Sequence, residues 1–564
     1  MKIYKIDRFL VGLLTAALLF RIPAIVDGLP ATYNSTEYFL AKIAMNMGAN
    51  LSLDPGIYIY PTLFTYILLF LYTGFYLIGS FFSFFIDVYA FAARFLIDPS
   101  GFYLISRIFN VGLFLILLTI VYLFLNRYAG KQIARFAVII MFLSSYLYRY
   151  SCYGTADTLL IFFSTLSIIY FYILYEQPTN KNFLLAGVFS GLAIAAKYNA
   201  GFLIFGLIIL IILLVRVKKI KILPPFFYST GGVLIGFLIP NPYWLISPQK
   251  FLDGLRLVSA QMYSAVSAES GDPFIWEIVT LIRDEYTIGA LFLITTVYYF
   301  LNGEKKHLPV VVVILLTYLY VGTWTKKGID YLFPAYPAWV ILSSFLLARI
   351  SEKYRLFNNY RIIILFVFFL PSFISMIHLF IAYSNQDTRE QATEWILRNI
   401  QNNETICYDN SHIDLGVFDI NRFRSYGIGS DKLPEPVKNE LTNYANNKRQ
   451  INFTPILIPN QSCTLKTDNP YETEAVKFRR RNISELINLG TDYLLTNLRY
   501  YNSYLTTNLR SYPLGVQIGI QEVREFYDQI FQYFDPIKTF KPTFWHPGPE
   551  INIYDLHQMR RKKE

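Results

Sequence analysis

Apolar residues fill long, nearly uninterrupted stretches of the first two thirds of the chain, then give way to a polar, short-period pattern from Asn385 onward. Such stretches lie at Phe9–Val26, Phe102–Leu125, Ile133–Tyr150, Thr158–Tyr175, Phe183–Ala196, Gly201–Val215, Phe226–Ile239, Ile288–Leu301, Leu308–Val321, Leu332–Ile350 and Ile362–Tyr383. They approach or exceed the roughly 18 residues that carry a helix across a hydrocarbon core. Tyr58–Phe85 is equally apolar, but counting it as a span would put the basic loop Asn126–Arg135 outside, against the excess of Lys and Arg in cytoplasmic loops. Treated as a hairpin or juxtamembrane helix within the first outer loop, it removes the conflict. The loops Arg216–Lys221, Glu304–His307 and Glu352–Arg355 then share the cytoplasmic side with Lys2, Lys5 and Arg8. The pattern predicts a polytopic α-helical membrane protein of about eleven spans, N-terminus in and C-terminus out. No small-x-small cleavage site precedes Asp27, so Phe9–Val26 is expected to remain as the first span.

Residues 1–384 form the multi-span module, with a large first outer loop over 27–101 and a second outer segment over 241–286. Within the second, Phe251, Leu255, Val258 and Met262 recur at helical spacing, as in a helix lying on the membrane interface or an ordinary surface helix. Residues 385–564 predict a small extracytoplasmic α/β domain of about 180 residues. Its expected elements are an amphipathic helix over Asp387–Ile400 and strands at Thr405–Tyr408, Asp492–Thr496 and Glu550–Tyr554. It holds no Gly-rich phosphate loop, His-x-x-x-His pair or Gly-x-Ser-x-Gly elbow.

Composition agrees with this division. The 564 residues are 54% hydrophobic and only 16% charged, against about 25% charged in soluble globular chains. The net charge of +11 is spread over short loops and forms no single patch, which argues against nucleic acid as a partner and for the lipid bilayer. Of three cysteines, Cys407 and Cys463 lie in the C-terminal part. They would be placed to pair outside the cell, and two separate thiols fit the sequence equally well.

The charged residues that run against the membrane pattern are the candidates for chemistry. Glu37 is the one acid in the stretch Pro30–Gly48, among aromatic and apolar residues. Its competing reading is a first-turn acid on a helix capped by Ser35 or Thr36. Asp157 likewise reads as a functional acid or as the N-cap of the span that follows. Arg107, Lys197, Lys326 and Lys327 fall at outer span ends, where basic residues are disfavoured unless an anion or a phospholipid headgroup meets them. Lys197 lies inside an apolar stretch and is no simple flanking anchor. Tyr33, Tyr38, Tyr58 and Tyr60 would line a cleft or form an interfacial aromatic belt.

Several motifs in order resemble those of the membrane-embedded C-type glycosyltransferases, the family that includes protein O-mannosyltransferases and the lipid A aminoarabinose transferase. They are Thr36-Glu37-Tyr38 with the small-residue run to Gly48, Tyr60-Pro61-Thr62-Leu63, Arg107, Tyr153–Asp157, Ala196-Lys197-Tyr198-Asn199-Ala200-Gly201, and Asp330-Tyr331-Leu332-Phe333-Pro334-Ala335-Tyr336-Pro337. The C-terminal part adds Asp387-Thr388-Arg389, Trp395-Ile396 and Pro547–Ile551. The resemblance implies transfer of a sugar from a polyprenyl-phosphate donor to a protein, glycolipid or polysaccharide acceptor at the outer face of a prokaryotic plasma membrane. It further implies Glu37 or Asp157 as the base that takes the acceptor's proton. Lys197, Arg107, Lys326 and Lys327 would stabilise the departing phosphate, and the four tyrosines would form the sugar cleft. One departure stands out: the family places aspartate where this chain has Thr36. Threonine has no carboxylate to offer, so a non-catalytic glycolipid-binding relative is the alternative, with a lipid-linked-sugar transporter a third class. For a divalent metal the sequence offers Glu37 and Asp157, two carboxylates only, too few to define a site.

Overall fold

The computed structural model describes residues 7–264, 271–353, 360–401, 404–409, 433–446, 452–455, 483–488, 490–509 and 514–557. Helices dominate, as they must where the backbone has no water to satisfy its N–H and C=O groups. The chain opens with α1 (Arg8–Val26), α2 (Ser35–Ala49), α3 (Leu63–Phe81), α4 (Val88–Ile97) and α5 (Ser100–Tyr128). Next come α6 (Lys131–Leu143), α7 (Ser145–Ser151), α8 (Asp157–Glu176), α9 (Asn180–Ala196), α10 (Phe202–Lys218) and α11 (Leu223–Leu238). Residues 241–286 hold α12 (Tyr243–Ile246), α13 (Pro248–Ser264) and α14 (Pro273–Glu285), followed by α15 (Thr287–Asn302), α16 (Leu308–Val321), α17 (Tyr336–Lys353) and α18 (Arg361–Ser384).

Each apolar stretch of the sequence falls on one of these helices, and the chain is a polytopic membrane protein. Among the described residues seven helices are long and apolar enough to cross a membrane, or eight if α6 and α7, bent by 66° at their junction, count as one span. The bend has a cause. Ser144 caps α7, and the buried Glu285 carboxylate accepts from the Ser144 hydroxyl (2.7 Å) and the Ser145 and Tyr146 N–H groups (3.1 and 2.9 Å). It thus satisfies donors that a helix start leaves open. Tyr58–Phe85 holds one continuous 19-residue helix, α3, and no hairpin. Helices α9 and α11 cross in close contact through paired glycines, Gly187 and Gly191 against Gly232 and Gly236. A Cβ at Gly187 would lie 2.2 Å from the Ser229 carbonyl, and one at Gly236 equally close to that of Val188. This is the small-xxx-small packing that lets membrane helices approach backbone to backbone.

The C-terminal part carries α19 (Thr388–Asn399), α20 (Glu435–Asn446), α21 (Ile483–Asn488), α22 (Leu498–Thr506) and α23 (Leu514–Tyr533). Its five strands are β1 (Thr405–Tyr408), β2 (Asn452–Pro455), β3 (Tyr493–Asn497), β4 (Pro536–Phe540) and β5 (Ile551–Asp555), arranged β2-β1-β3-β5-β4. β1 is parallel to β2 and β3, whereas β5 runs antiparallel to β3 and β4. The expected amphipathic helix is α19, with Ala392 and Ile396 buried against Ile406, Leu495 and Ile553 of the sheet. This unit touches the membrane module in several places, one of them His378 of α18, whose ring stacks on Phe544 with centres 4.4 Å apart. Val437 and Leu441 of α20 bury against Ala93 of α4. The Arg389 guanidinium lies 3.3 Å from the centre of the Tyr33 ring, whose hydroxyl donates to Glu390 (3.3 Å). Lys2, Lys5, Arg355 and Cys463 lie outside the described residues.

Candidate active site

Helix α9 ends because Lys197 adopts an extended backbone (φ −149°, ψ 134°) before a short 3-10 turn, Tyr198–Gly201. That break sends the lysine side chain into the protein, where the residue is 9% exposed. Its ammonium donates to Asp157 Oδ1 at 2.6 Å and Asp330 Oδ2 at 3.0 Å, and lies 5.7 Å from the centre of the Tyr331 ring. Asp157 opens α8, its second oxygen accepting from the Thr155 hydroxyl at 2.7 Å. Asp330 begins the 3-10 segment Ile329–Ala335 that leads into α17. An isolated ammonium this deeply buried would be costly, and one carboxylate would neutralise it. Here two carboxylates share it, so the cluster carries one net negative charge.

All three side chains line a cavity of about 750 Å³. Thr36 and Tyr60 from the first outer loop line it too, as do Leu255, Val258 and Met262 of α13, Phe202 and Phe205 of α10, Lys326, and Arg499 from the C-terminal part. The apolar stripe predicted over Lys250–Met262 therefore faces the cavity and α13 is no simple interfacial helix. Burial holds the Lys326 ammonium below its ordinary value, with Asp330 opposing the shift. Among the described residues neither Lys326 nor Arg499 has a carboxylate within ion-pair distance, so both bring uncompensated positive charge to the lining.

Several expected site residues are elsewhere. Glu37 sits in the first turn of α2, as its competing reading had it, but the cap is Asn34 and not Ser35 or Thr36. Its carboxylate does not line the cavity and is saturated by Arg107 Nε (2.8 Å) and Nη2 (2.7 Å), the Gly154 N–H (2.7 Å) and the Thr32 hydroxyl. A carboxylate with every lone pair engaged by a buried guanidinium, an amide and a hydroxyl is a poor base, and the geometry corrects that assignment. Arg107 is removed from phosphate binding for the same reason. Its third nitrogen donates to the Ile25 and Asp27 carbonyls (2.9 and 2.8 Å), and its side chain is 2% exposed. Lys327 is not on the cavity, and its charge acts on Glu277. Of the four tyrosines only Tyr60 lines the cavity. Tyr33 joins the loop to the C-terminal part. Tyr58 is buried against Tyr243 and Phe251, with its hydroxyl on Asp54 (2.7 Å), and Tyr38 lies off the lining. Asp157, Lys197 and Lys326 line the cavity, but the Lys197 ammonium, expected on the donor phosphate, is held by Asp157 and Asp330. Asp330 and Arg499 are additions, the first lying within a motif quoted for the resemblance without being singled out, the second carrying no local signal.

A divalent metal between Glu37 and Asp157 does not fit. One carboxylate is held by Arg107 and the other by Lys197, whose ammonium stands where a metal shared by Asp157 and Asp330 would be. Among the described residues no cluster of three or more His, Cys, Asp or Glu side chains is arranged to hold a metal ion.

Comparison with curated proteins gives no match. Among solved structures, the chain resembles the archaeal oligosaccharyltransferase AglB from Archaeoglobus fulgidus, in complex with an inhibitory peptide and a dolichol-phosphate. That match has 11% identity and a TM-score of 0.47 over 89% of this chain and 71% of the other. It also resembles ArnT from Cupriavidus metallidurans bound to undecaprenyl phosphate, with 10% identity and a TM-score of 0.49 over 97% and 98%. Likeness at this level transfers no residue role. A family model matches by sequence over the segment that supplies both Asp157 and Lys197 to the cavity, and it bears out the resemblance read from the motifs: over residues 100–244 the chain is similar to the dolichyl-phosphate-mannose-protein mannosyltransferases.

Proposed function

We propose that this chain is a membrane glycosyltransferase that moves a sugar from a polyprenyl-phosphate-linked donor to an acceptor at the outer face of the membrane. The observation that carries the reading is the cavity itself. It combines a carboxylate pair bridged by Lys197, two uncompensated cations and an apolar lining from α10 and α13, and the segment with the mannosyltransferase likeness builds part of it. Lys326 and Arg499 suit the phosphate, which gains negative charge as the sugar leaves and is stabilised by cations already in place. Phe202, Phe205, Leu255, Val258 and Met262 suit a prenyl chain. Tyr60 and Asn199 supply a phenol and an amide toward sugar hydroxyls.

The proposal includes about eleven spans with the N-terminus inside, the C-terminal unit outside and a prokaryotic plasma membrane as the location. The acceptor class, whether protein, glycolipid or polysaccharide, stays open. One observation favours a second reading, a glycolipid-binding relative without catalysis: Thr36 lies on the cavity where the resembled family has a carboxylate. Mass spectrometry of glycolipids and glycoproteins from cells with and without the gene separates the two. Transfer predicts a product class that disappears on deletion, returns with the wild-type gene and fails to return with Lys197→Met. Identical profiles with and without the gene would sink the enzymatic reading.

A further inference from the structure

We propose that Asp330, which lines the cavity and gives only its Oδ2 to Lys197, is the catalytic base of this chain; the proposal rests on the sugar-transfer reading above. Among the described residues Asp157 and Asp330 line the cavity and Glu37 does not, and the hydrogen bonds of the three rank them. Glu37 is closed off by Arg107, Gly154 and Thr32. Asp157 has one oxygen on Lys197 and the other on Thr155, and its side chain is 4% exposed. Asp330 is 19% exposed, its Oδ2 takes the lysine at 3.0 Å, and among the described residues Oδ1 accepts no hydrogen bond. Gly328 keeps the space beside that oxygen clear, since a Cβ there would stand 2.7 Å from Oδ1.

Charge gives the second argument. Asp157, Asp330 and Lys197 together carry one net negative charge in a poorly solvated place, so a proton arriving on Asp330 takes the cluster to neutrality and leaves the Lys197–Asp157 pair intact. Position gives the third. Thr36, which has no carboxylate, and Asp330 line the same cavity, as does Tyr60. The acid missing from the first outer loop is thus present on another element of the same lining.

The step balances as follows. The acceptor's O–H or N–H proton passes to Asp330 Oδ1 as the acceptor lone pair forms a bond to the anomeric carbon. The bond from that carbon to the phosphate oxygen breaks, and its electron pair leaves on the phosphate, beside Lys326 and Arg499.

The test uses membrane vesicles from gene-deleted cells carrying the full-length chain, with their own lipid-linked sugars as donor. Released polyprenyl phosphate and glycosylated product are quantified by mass spectrometry from about pH 5 to about pH 9. Asp330→Asn is expected to lower the transfer rate about 100-fold or more, with protein level and melting unchanged. The wild-type rate falls on the acid side as the base becomes protonated, and the residual rate of D330N lacks that limb. A role confined to positioning Lys197 would slow the variant and leave the limb in place. Asp330→Glu, which keeps the charge that Lys197 needs, retains both the fold and the acid limb, and it carries the test should D330N melt early. Thr36→Asp added to D330N is expected to raise the residual rate about tenfold by returning a carboxylate to the cavity. A D330N rate within about threefold of wild type, or an unchanged acid limb, overturns the assignment. A wild-type chain that yields no gene-dependent product overturns the sugar-transfer reading itself, a distinguishable result.

Discussion

Replacing Glu37 by glutamine tests whether the acid of the first outer loop is a clamp or a base. The Glu37 and Arg107 side chains are 0% and 2% exposed and meet through two nearly parallel hydrogen bonds of 2.8 and 2.7 Å. The remaining Arg107 nitrogen holds the carbonyls of Ile25 and Asp27, where α1 runs into the outer loop. The pair therefore ties α1, α2, α5 and, through Gly154, the start of α8. Glutamine keeps the shape and removes the charge, leaving a guanidinium buried without a counter-ion, which costs about 3–5 kcal/mol. Arg107→Met should cost a similar amount. The double variant should recover part of the loss, with a coupling of up to about 3 kcal/mol. Melting of the purified chain in detergent, followed by tryptophan fluorescence for the wild type, both single variants and the double, measures that cycle. Transfer per folded molecule should stay within a few-fold of wild type in E37Q. If E37Q melts with the wild type and yet loses transfer, the clamp is refuted and Glu37 returns as the base.

Lys326→Gln and Arg499→Gln each remove one uncompensated cation from the cavity lining. Each is expected to raise the donor KM about tenfold with little change in melting, as steady-state rates over a donor titration would show; equal KM values would count against a phosphate there. Gly236→Leu puts a branched side chain where even a Cβ meets the Val188 carbonyl at 2.2 Å. It should force α9 and α11 apart and lower the yield of folded chain on size-exclusion chromatography, whereas Gly231→Ala, with open space at its Cβ position, should not. Asp409 follows β1 in the C-terminal unit, and burial pushes its carboxyl up to about 8, against the opposing Asn497 N–H (2.8 Å) and Tyr527 hydroxyl (3.1 Å). The folded form then binds this proton more tightly than the unfolded chain does. Its contribution is most favourable at or below about pH 4 and falls by roughly 1.4 kcal/mol per unit as pH rises toward about 8. Thermal melts at several pH values should show that slope, and Asp409→Asn should flatten it.

The helices were legible because a membrane imposes a length and a polarity that a single sequence displays. The α19 helix and strands β1, β3 and β5 were legible from periodicity. Strands β2 and β4 were not, and both lie at sheet edges with a proline at one end, Pro455 and Pro536, which a reader of sequence takes for a turn. At the site, Lys197 could be picked out because a lysine inside an apolar run needs an anion. Which anion was hidden: Asp157 is 40 positions away and Asp330 133. Glu37 was misassigned for the same reason, since its partner Arg107 lies 70 positions on. Local sequence shows that a charge is out of place and is silent about the contact that answers it. Arg499 carried no signal at all, because only the docking of the C-terminal unit brings it to the cavity.

These partnerships divide the charged residues of the outer face into two groups with opposite properties. Glu37 and Arg107 neutralise one another, are sealed from the cavity and have no hydrogen-bonding capacity left over, so substrate binding cannot alter their charge without breaking the loop. The Lys197 group is unbalanced by one negative charge, touches the cavity and keeps one carboxylate oxygen unengaged. A rigid neutral clamp beside an unbalanced open cluster is the arrangement proton transfer requires, because the scaffold stays fixed while only the cluster changes charge. On the proposed reading the chain keeps the loop after α1 while carrying Thr36 because the loop's remaining acid is structural and the chemistry depends on the carboxylates that α8 and the segment before α17 deliver.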